Sequence, residues 1–173
     1  MRNGGMEMLW TLTLPVSEKT ADLDHWMEEY ATPLLRLCTM ILRDRQMAEE
    51  AVQDTLYRGY RGYAKFRGGS SEQTWLTRIA VNVCRDRLRR PDYRRERQGL
   101  PLSAAENQED ASRERRELLE AVCSLPDRDR EVLLLRYYTG LAVKEIACVL
   151  SLSENAVSAR LKRARERLRQ TLA

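Results

Sequence analysis

Two apolar stripes separated by a three-residue turn constrain this chain more than any other feature. Val143, Ile146, Ala147 and Leu150 recur at i, i+3, i+4, i+7, and after Ser151, Leu152 and Ser153 the residues Val157, Leu161, Ala164 and Leu168 resume at i, i+4, i+7, i+11. The spacing predicts two short helices joined by a tight turn, a helix-turn-helix. Ser153 is placed to cap the second helix and Glu154 to sit at its positive end. The exposed faces of that helix carry Arg160, Lys162, Arg163, Arg165, Arg167 and Arg169. A basic amphipathic helix also occurs as a solvated surface helix or a partner-binding helix, but the turn and the helix before it favour DNA recognition.

The charge distribution points the same way. The formal net charge is +4, and residues 154–173 alone hold that excess, so the rest of the chain is neutral. A neutral body with its charge on one terminal helix suits a directed contact with a polyanion rather than a generally adhesive surface. Cys38, Cys84, Cys123 and Cys148 form no C-x-x-C pair and His25 is the only histidine, which argues against a zinc site. Each cysteine falls in an apolar helical pattern, so reduced, mostly buried thiols in a cytoplasmic protein are expected. No apolar run approaches the roughly 18 residues that span a bilayer, and Leu9 to Val16 lacks an export-signal pattern.

With 173 residues the chain has room for one domain or two small helical ones. Residues 1–21 show no periodicity and are expected to form a disordered tail. From Asp22 the pattern is helical, with Leu34, Leu35, Cys38, Ile41 and Leu42 on one face and Pro33 kinking the helix or starting a new one. Asp44 begins the next helix, with Ala48, Ala51, Val52, Leu56 and Tyr60 inward and Glu49, Glu50, Gln53 and Asp54 outward. After a loop at Phe66 to Ser71, Trp75, Leu76, Ile79, Ala80 and Val83 mark another buried face. The same helix has a second stripe, Arg78, Asn82, Arg85 and Arg89, that supplies donors for phosphates and base edges.

The apolar rhythm stops over residues 91–112, where a basic piece (Arg94, Arg95, Arg97) passes through Gly99 and Pro101 into an acidic one (Glu106, Glu109, Asp110), as in a flexible linker. It returns with Leu118, Leu119, Val122 and Leu125, breaks at Pro126, and restarts behind Asp127 with Val132, Leu133 and Leu135. The expected fold is all-α, with two small helical domains at 22–90 and 113–173. The sequence holds no strand pattern, internal repeat, P-loop or nucleophile motif, so no enzymatic activity and no cofactor are expected.

Two ordered signatures give this arrangement a family. AEEAVQDTL (Ala48 to Leu56) and W-L-x-x-I-A-x-N-x-x-R-D (Trp75 to Asp86) stand in the first half. LP (Leu125, Pro126), RYYTG (Arg136 to Gly140), EIA (Glu145 to Ala147) and RLKRAR (Arg160 to Arg165) follow in the second. The chain resembles, from about residue 22 to 170, an extracytoplasmic-function (ECF) sigma factor of the sigma-70 family, a small two-domain subunit of bacterial RNA polymerase. The resemblance implies that the first domain is sigma region 2, which docks on core RNA polymerase through Glu50, Gln53 and Asp54 and opens the minus-ten promoter element. It implies that the loop Phe66 to Gln73 holds an unstacked non-template base, with Phe66, Arg67, Trp75, Arg78, Asn82, Arg85 and Arg89 as minus-ten contacts. By its spacing alone Trp75 is equally a core residue.

The second domain then corresponds to sigma region 4. Its recognition helix would enter the major groove of the minus-thirty-five element, where Asn155, Ser158, Ala159, Arg160, Lys162 and Arg163 are the candidate DNA contacts. The implied partners are core RNA polymerase, promoter DNA and an anti-sigma factor. The chain departs from the family at Leu56, where an aromatic is usual, at Ala142, where Ser or Thr is usual, and at Asn155 and Ala156, where a Gly-Thr pair is usual. A stand-alone helix-turn-helix regulator is the alternative, but it would need an effector or dimerisation domain. A helical RNA-binding or scaffold protein would account for the basic helix and leave the acidic face of Glu50 and Asp54 without a role.

Overall fold

The computed structural model describes residues 21–91 and 113–173, and every regular element among them is helical. The expected tail, apart from Ala21, and the expected linker, apart from Pro91, lie outside the described residues. In the first half run α1 (Leu23–Glu29), α2 (Ala31–Leu42), α3 (Arg45–Gly62), a 3-10 turn (Tyr63–Lys65) and α4 (Glu72–Leu88). In the second run α5 (Arg113–Ser124), α6 (Asp127–Tyr137), α7 (Val143–Leu150) and α8 (Glu154–Leu172).

Side-chain caps set four of the helix starts. Asp22 accepts from the amide of His25, Asp44 from Met47, Ser71 from Thr74 and Ser153 from Ala156, at 2.8 to 3.2 Å. Each satisfies one amide of a first turn that has no intrahelical partner. Pro33 falls in the first turn of α2, where its missing N–H costs no bond, and the break lies ahead of it at Tyr30. At the turn of the helix-turn-helix Ser151 takes a left-handed conformation (φ 54°), and the Leu152 amide donates back to the Ala147 carbonyl at 2.9 Å.

In the first half α2, α3 and α4 pack around Trp26, Leu37, Leu42, Leu76 and Val81. The inward face of α3 departs from expectation at one position. Tyr60 is 39% exposed, and the buried position is taken by Gly59, where an added Cβ would lie 2.7 Å from the Leu76 side chain and 3.1 Å from the Trp26 ring. Close approach to α4 and α1 therefore demands a residue without a side chain. Leu56 is buried, so the missing aromatic is a matter of core packing.

In the second half Val132 and Leu135 of α6 meet Ile146 and Val149 of α7 and Val157, Leu161 and Ala164 of α8. The expected helix-turn-helix is present with its stripes facing inward. Leu118 is the exception in this half, 47% exposed rather than buried. The halves also touch: α4 packs on α7 and α2 on α6, and one apolar core runs through both. Arg130, only 1% exposed, helps to join them. Its Nη1 donates to the carbonyls of Cys123 (3.1 Å) and Leu125 (3.0 Å), and its Nη2 to Asp127 (2.6 Å) and the Ile41 carbonyl of α2 (3.1 Å).

Ala142 is the N-cap of α7, with φ −68° and ψ 156°, and its amide donates to the Glu145 carboxylate at 2.8 Å. Half of a capping box is therefore built, while a methyl group stands where a hydroxyl would accept from the Glu145 amide. Ala142→Ser is expected to stabilise the protein by about 0.5–2 kcal/mol. A thermal melt of the full chain checks this; an unchanged or lower melting temperature contradicts it.

Candidate functional site

Three surfaces gather the candidate residues. On α3, Glu50 and Asp54 lie one turn apart and half-exposed, with Gln53 exposed beside them. Neither carboxylate is simply solvated, because both are held from below. Arg87 of α4 donates from Nη1 to Glu50 at 2.8 Å and from Nη2 to Asp54 at 2.9 Å, and its own side chain is 11% exposed. Burial works against the Arg87 charge, but the bonds to Glu50 and Asp54 outweigh it and hold the guanidinium above its ordinary range.

The second surface starts at the loop between the 3-10 turn and α4. Gly68 has φ 71°, a left-handed conformation that reverses the chain, and Ser71 ends the loop by capping α4. Phe66 stacks on Tyr63 (centroids 5.7 Å, 23°) and tilts against Trp75 at 5.0 Å, and Trp26 meets Tyr63 and Trp75 edge-on. Glu72 ties the cluster together by accepting from the Trp26 indole and the Tyr63 hydroxyl. Lys65, Phe66, Arg67, Trp75 and Arg78 line a cleft of about 410 Å³ in front of this cluster. Trp75 is half-buried and does both jobs that its spacing allows, one side in the aromatic cluster and one on the cleft.

Along α4, Arg78, Asn82 and Arg89 are exposed as expected, and Arg85 is not. Its Nε and Nη2 each donate to the Glu131 carboxylate of α6 at 2.7 Å. Glu131 is buried, and that burial raises its pKa although the bonds to Arg85 pull the other way. Cys148 and Val149 of α7 complete the wall of the cleft, so two parts of the candidate minus-ten surface face the second half of the chain. Cys38, Cys84 and Cys123 are buried as expected; Cys148 is exposed.

The third surface is the outer side of α8. Asn155, Ser158, Ala159, Lys162 and Arg163 are exposed, and Arg160 is half-buried. Asp129 of α6, 4% exposed, pairs with Arg167 at 3.0 Å and lies 3.7 Å from Arg163. Sequence reasoning missed the buried charges Arg87, Asp129, Arg130 and Glu131. On α6 an apolar period marks only Val132, Leu133 and Leu135, whereas Asp129, Arg130 and Glu131 just before them are buried as charged residues.

These surfaces coincide with known sequence families. Residues 26–94 match the model described as Sigma-70 region 2, and residues 115–168 match Sigma-70, region 4. The chain is 30% identical over 159 residues to the RNA polymerase sigma-H factor of Pseudomonas aeruginosa, covering 83% of this chain and 82% of that protein. Against the ECF RNA polymerase sigma factor SigG of Mycobacterium tuberculosis it is 31% identical over 187 residues, covering 89% of this chain but spanning only 50% of SigG. A sigma factor RpoE from Bartonella quintana, solved in complex with the anti-sigma factor NepR, shares the fold with a TM-score of 0.73 at 23% identity, over 87% of this chain and 96% of that one. CnrH, solved with the cytosolic domain of CnrY, shares it with a TM-score of 0.64 at 24% identity, over 87% of this chain and 86% of that one. The chain belongs to the sigma-70 family of RNA polymerase sigma factors, within its ECF group.

Proposed function

We propose that this protein binds core RNA polymerase and directs it to particular promoters, acting in the cytoplasm under the control of an anti-sigma factor. The observation that carries the reading is the order of surfaces along the chain: an acidic pair on α3, a cleft of aromatics and cations at the start of α4, and a basic helix α8 in a helix-turn-helix. Glu50, Gln53 and Asp54 dock on the polymerase. Phe66, Arg67, Trp75, Arg78, Asn82, Arg85 and Arg89 engage the minus-ten element, where unpairing a base costs a few kcal/mol that a fitted pocket and cationic contacts offset. The boundaries are residues 22–90 for region 2 and 113–173 for region 4, joined by 91–112.

The Arg85–Glu131 pair and the α7 wall of the cleft bear on how promoter DNA is reached. Arg85 meets DNA only after leaving Glu131, so the two halves part on the polymerase. The free protein then binds promoter DNA weakly, and core polymerase makes binding tight and promoter-specific, as measured by anisotropy of labelled promoter DNA. Tight, sequence-specific binding by the free protein with no response to core polymerase would instead favour the stand-alone regulator.

On α8 the exposed residues divide into reading and holding groups. Asn155 and Lys162 face outward and meet base edges, so their substitution changes which minus-thirty-five sequences are used, by roughly 1–3 kcal/mol per good base contact. Arg163, loosely held by Asp129, meets a phosphate. Arg163→Ala weakens all promoters alike and reduces the log-affinity versus log-salt slope by about 0.9. A promoter-library selection with core polymerase, run beside salt titrations, checks both. A changed base preference in Arg163→Ala with none in the Asn155 and Lys162 variants contradicts the assigned rotation of the helix.

A further inference from the structure

Arg87 lies on no candidate surface, yet it is the group that both docking carboxylates share. Its guanidinium fork spans Glu50 and Asp54, which are half-exposed and keep one oxygen each outside the fork. Left alone, two such side chains on a helix surface sample several rotamers, and fixing them on association costs conformational entropy. The planar fork of an arginine suits a pair of carboxylates in a way that the point charge of a lysine does not. Arg87 also comes from α4, the helix that carries the minus-ten residues. One side chain therefore ties the acidic face of α3 to the helix behind it.

We propose that Arg87 is a positioning residue for polymerase docking: it holds Glu50 and Asp54 in one arrangement, oxygens outward, for a basic helical surface of the partner. The proposal rests on the docking reading of α3. Arg87 is buried against α3 and never meets the partner itself. Its role is separable from fold stability because of the way exposure is shared. Replacing it with Met leaves an apolar side chain in an enclosed slot and returns two half-exposed carboxylates to water, so no buried charge is stranded. Neutralising the carboxylates does the reverse and leaves a desolvated guanidinium short of acceptors. Met is therefore the cleaner probe.

The test is a double-mutant cycle on the affinity for purified core polymerase, using the full chain as wild type, Arg87→Met, Asp54→Asn and the pair, with Arg87→Lys as the conservative variant and a thermal melt of each. Positioning predicts that Arg87→Met weakens core binding about tenfold, and that adding Asp54→Asn to it costs far less than Asp54→Asn does in the wild type. Arg87→Lys, able to serve one carboxylate at a time, falls between. Wild-type affinity in Arg87→Met, or losses that simply add, overturns the proposal. Should Arg87→Met fail to fold, Arg87→Lys decides on the same cycle. Wild-type affinity in Asp54→Asn and in a Glu50→Gln variant measured beside it overturns the docking reading itself, and the proposal with it.

Discussion

Deleting Gly68, Gly69 and Ser70 is expected to abolish open-complex formation while leaving the melting temperature nearly unchanged. Gly68 and Gly69 have open space around their Cα atoms and Ser70 is exposed, so their removal takes no side chain from the core. The deletion stops short of Ser71, whose hydroxyl accepts from the Thr74 amide; removing that cap would add about 1 kcal/mol of destabilisation and blur the result. What is lost is the rim of the cleft in front of Phe66 and Trp75. A base taken out of the stack needs that enclosure, since stacking on an aromatic side chain offsets only about 1–3 kcal/mol per base. Permanganate reactivity of promoter thymines reads the outcome directly. Reactivity at the wild-type level in the shortened protein would remove the loop from promoter opening.

The largest stability effect is expected at Arg130. Hydrogen bonds from its guanidinium join the α5–α6 turn to the carbonyl of Ile41 in the other half of the chain. Arg130→Met fills similar space but removes the donor that the carbonyls of Cys123, Leu125 and Ile41 share. Leaving a buried acceptor without its donor costs about 1–3 kcal/mol per group, and over several groups that is a large fraction of the roughly 5–15 kcal/mol that keeps a domain folded. Urea denaturation should show the loss as a lower midpoint. A loss below about 1 kcal/mol would mean that water replaces the guanidinium, which its near-complete burial argues against.

Arg130 also marks the boundary between what a sequence makes plain and what only the folded chain reveals. The helix-turn-helix was readable because its stripes repeat within a few residues, and the starts at Asp44 and Ser153 because a cap acts on an amide three positions away. Arg87 meets its carboxylates across 37 and 33 residues, Arg85 meets Glu131 across 46, and Arg130 reaches Ile41 across 89. Periodicity reports which side of a helix is apolar and says nothing about which charge another helix brings to it. Hence the spacing puts Arg85 with the exposed stripe of α4 and passes over Glu131 at the end of the charged run Asp127 to Glu131. Tyr60 fails for a related reason: the spacing marks Tyr60 itself as inward, but the contact with Trp26 and Leu76 leaves room only for Gly59. Arg87 also changes how the acidic face should be probed. Reversing both Glu50 and Asp54 would set two cations against a buried guanidinium and damage the fold, so single neutral substitutions are the informative ones.

The decisive experiment is run-off transcription from a library of promoter templates with purified core polymerase. Core polymerase alone should give little specific product, and adding this protein should yield discrete transcripts from a subset of promoters sharing minus-ten and minus-thirty-five elements. Transcription that is unchanged by the protein, or merely modulated when another sigma factor is already present, would contradict the proposed function.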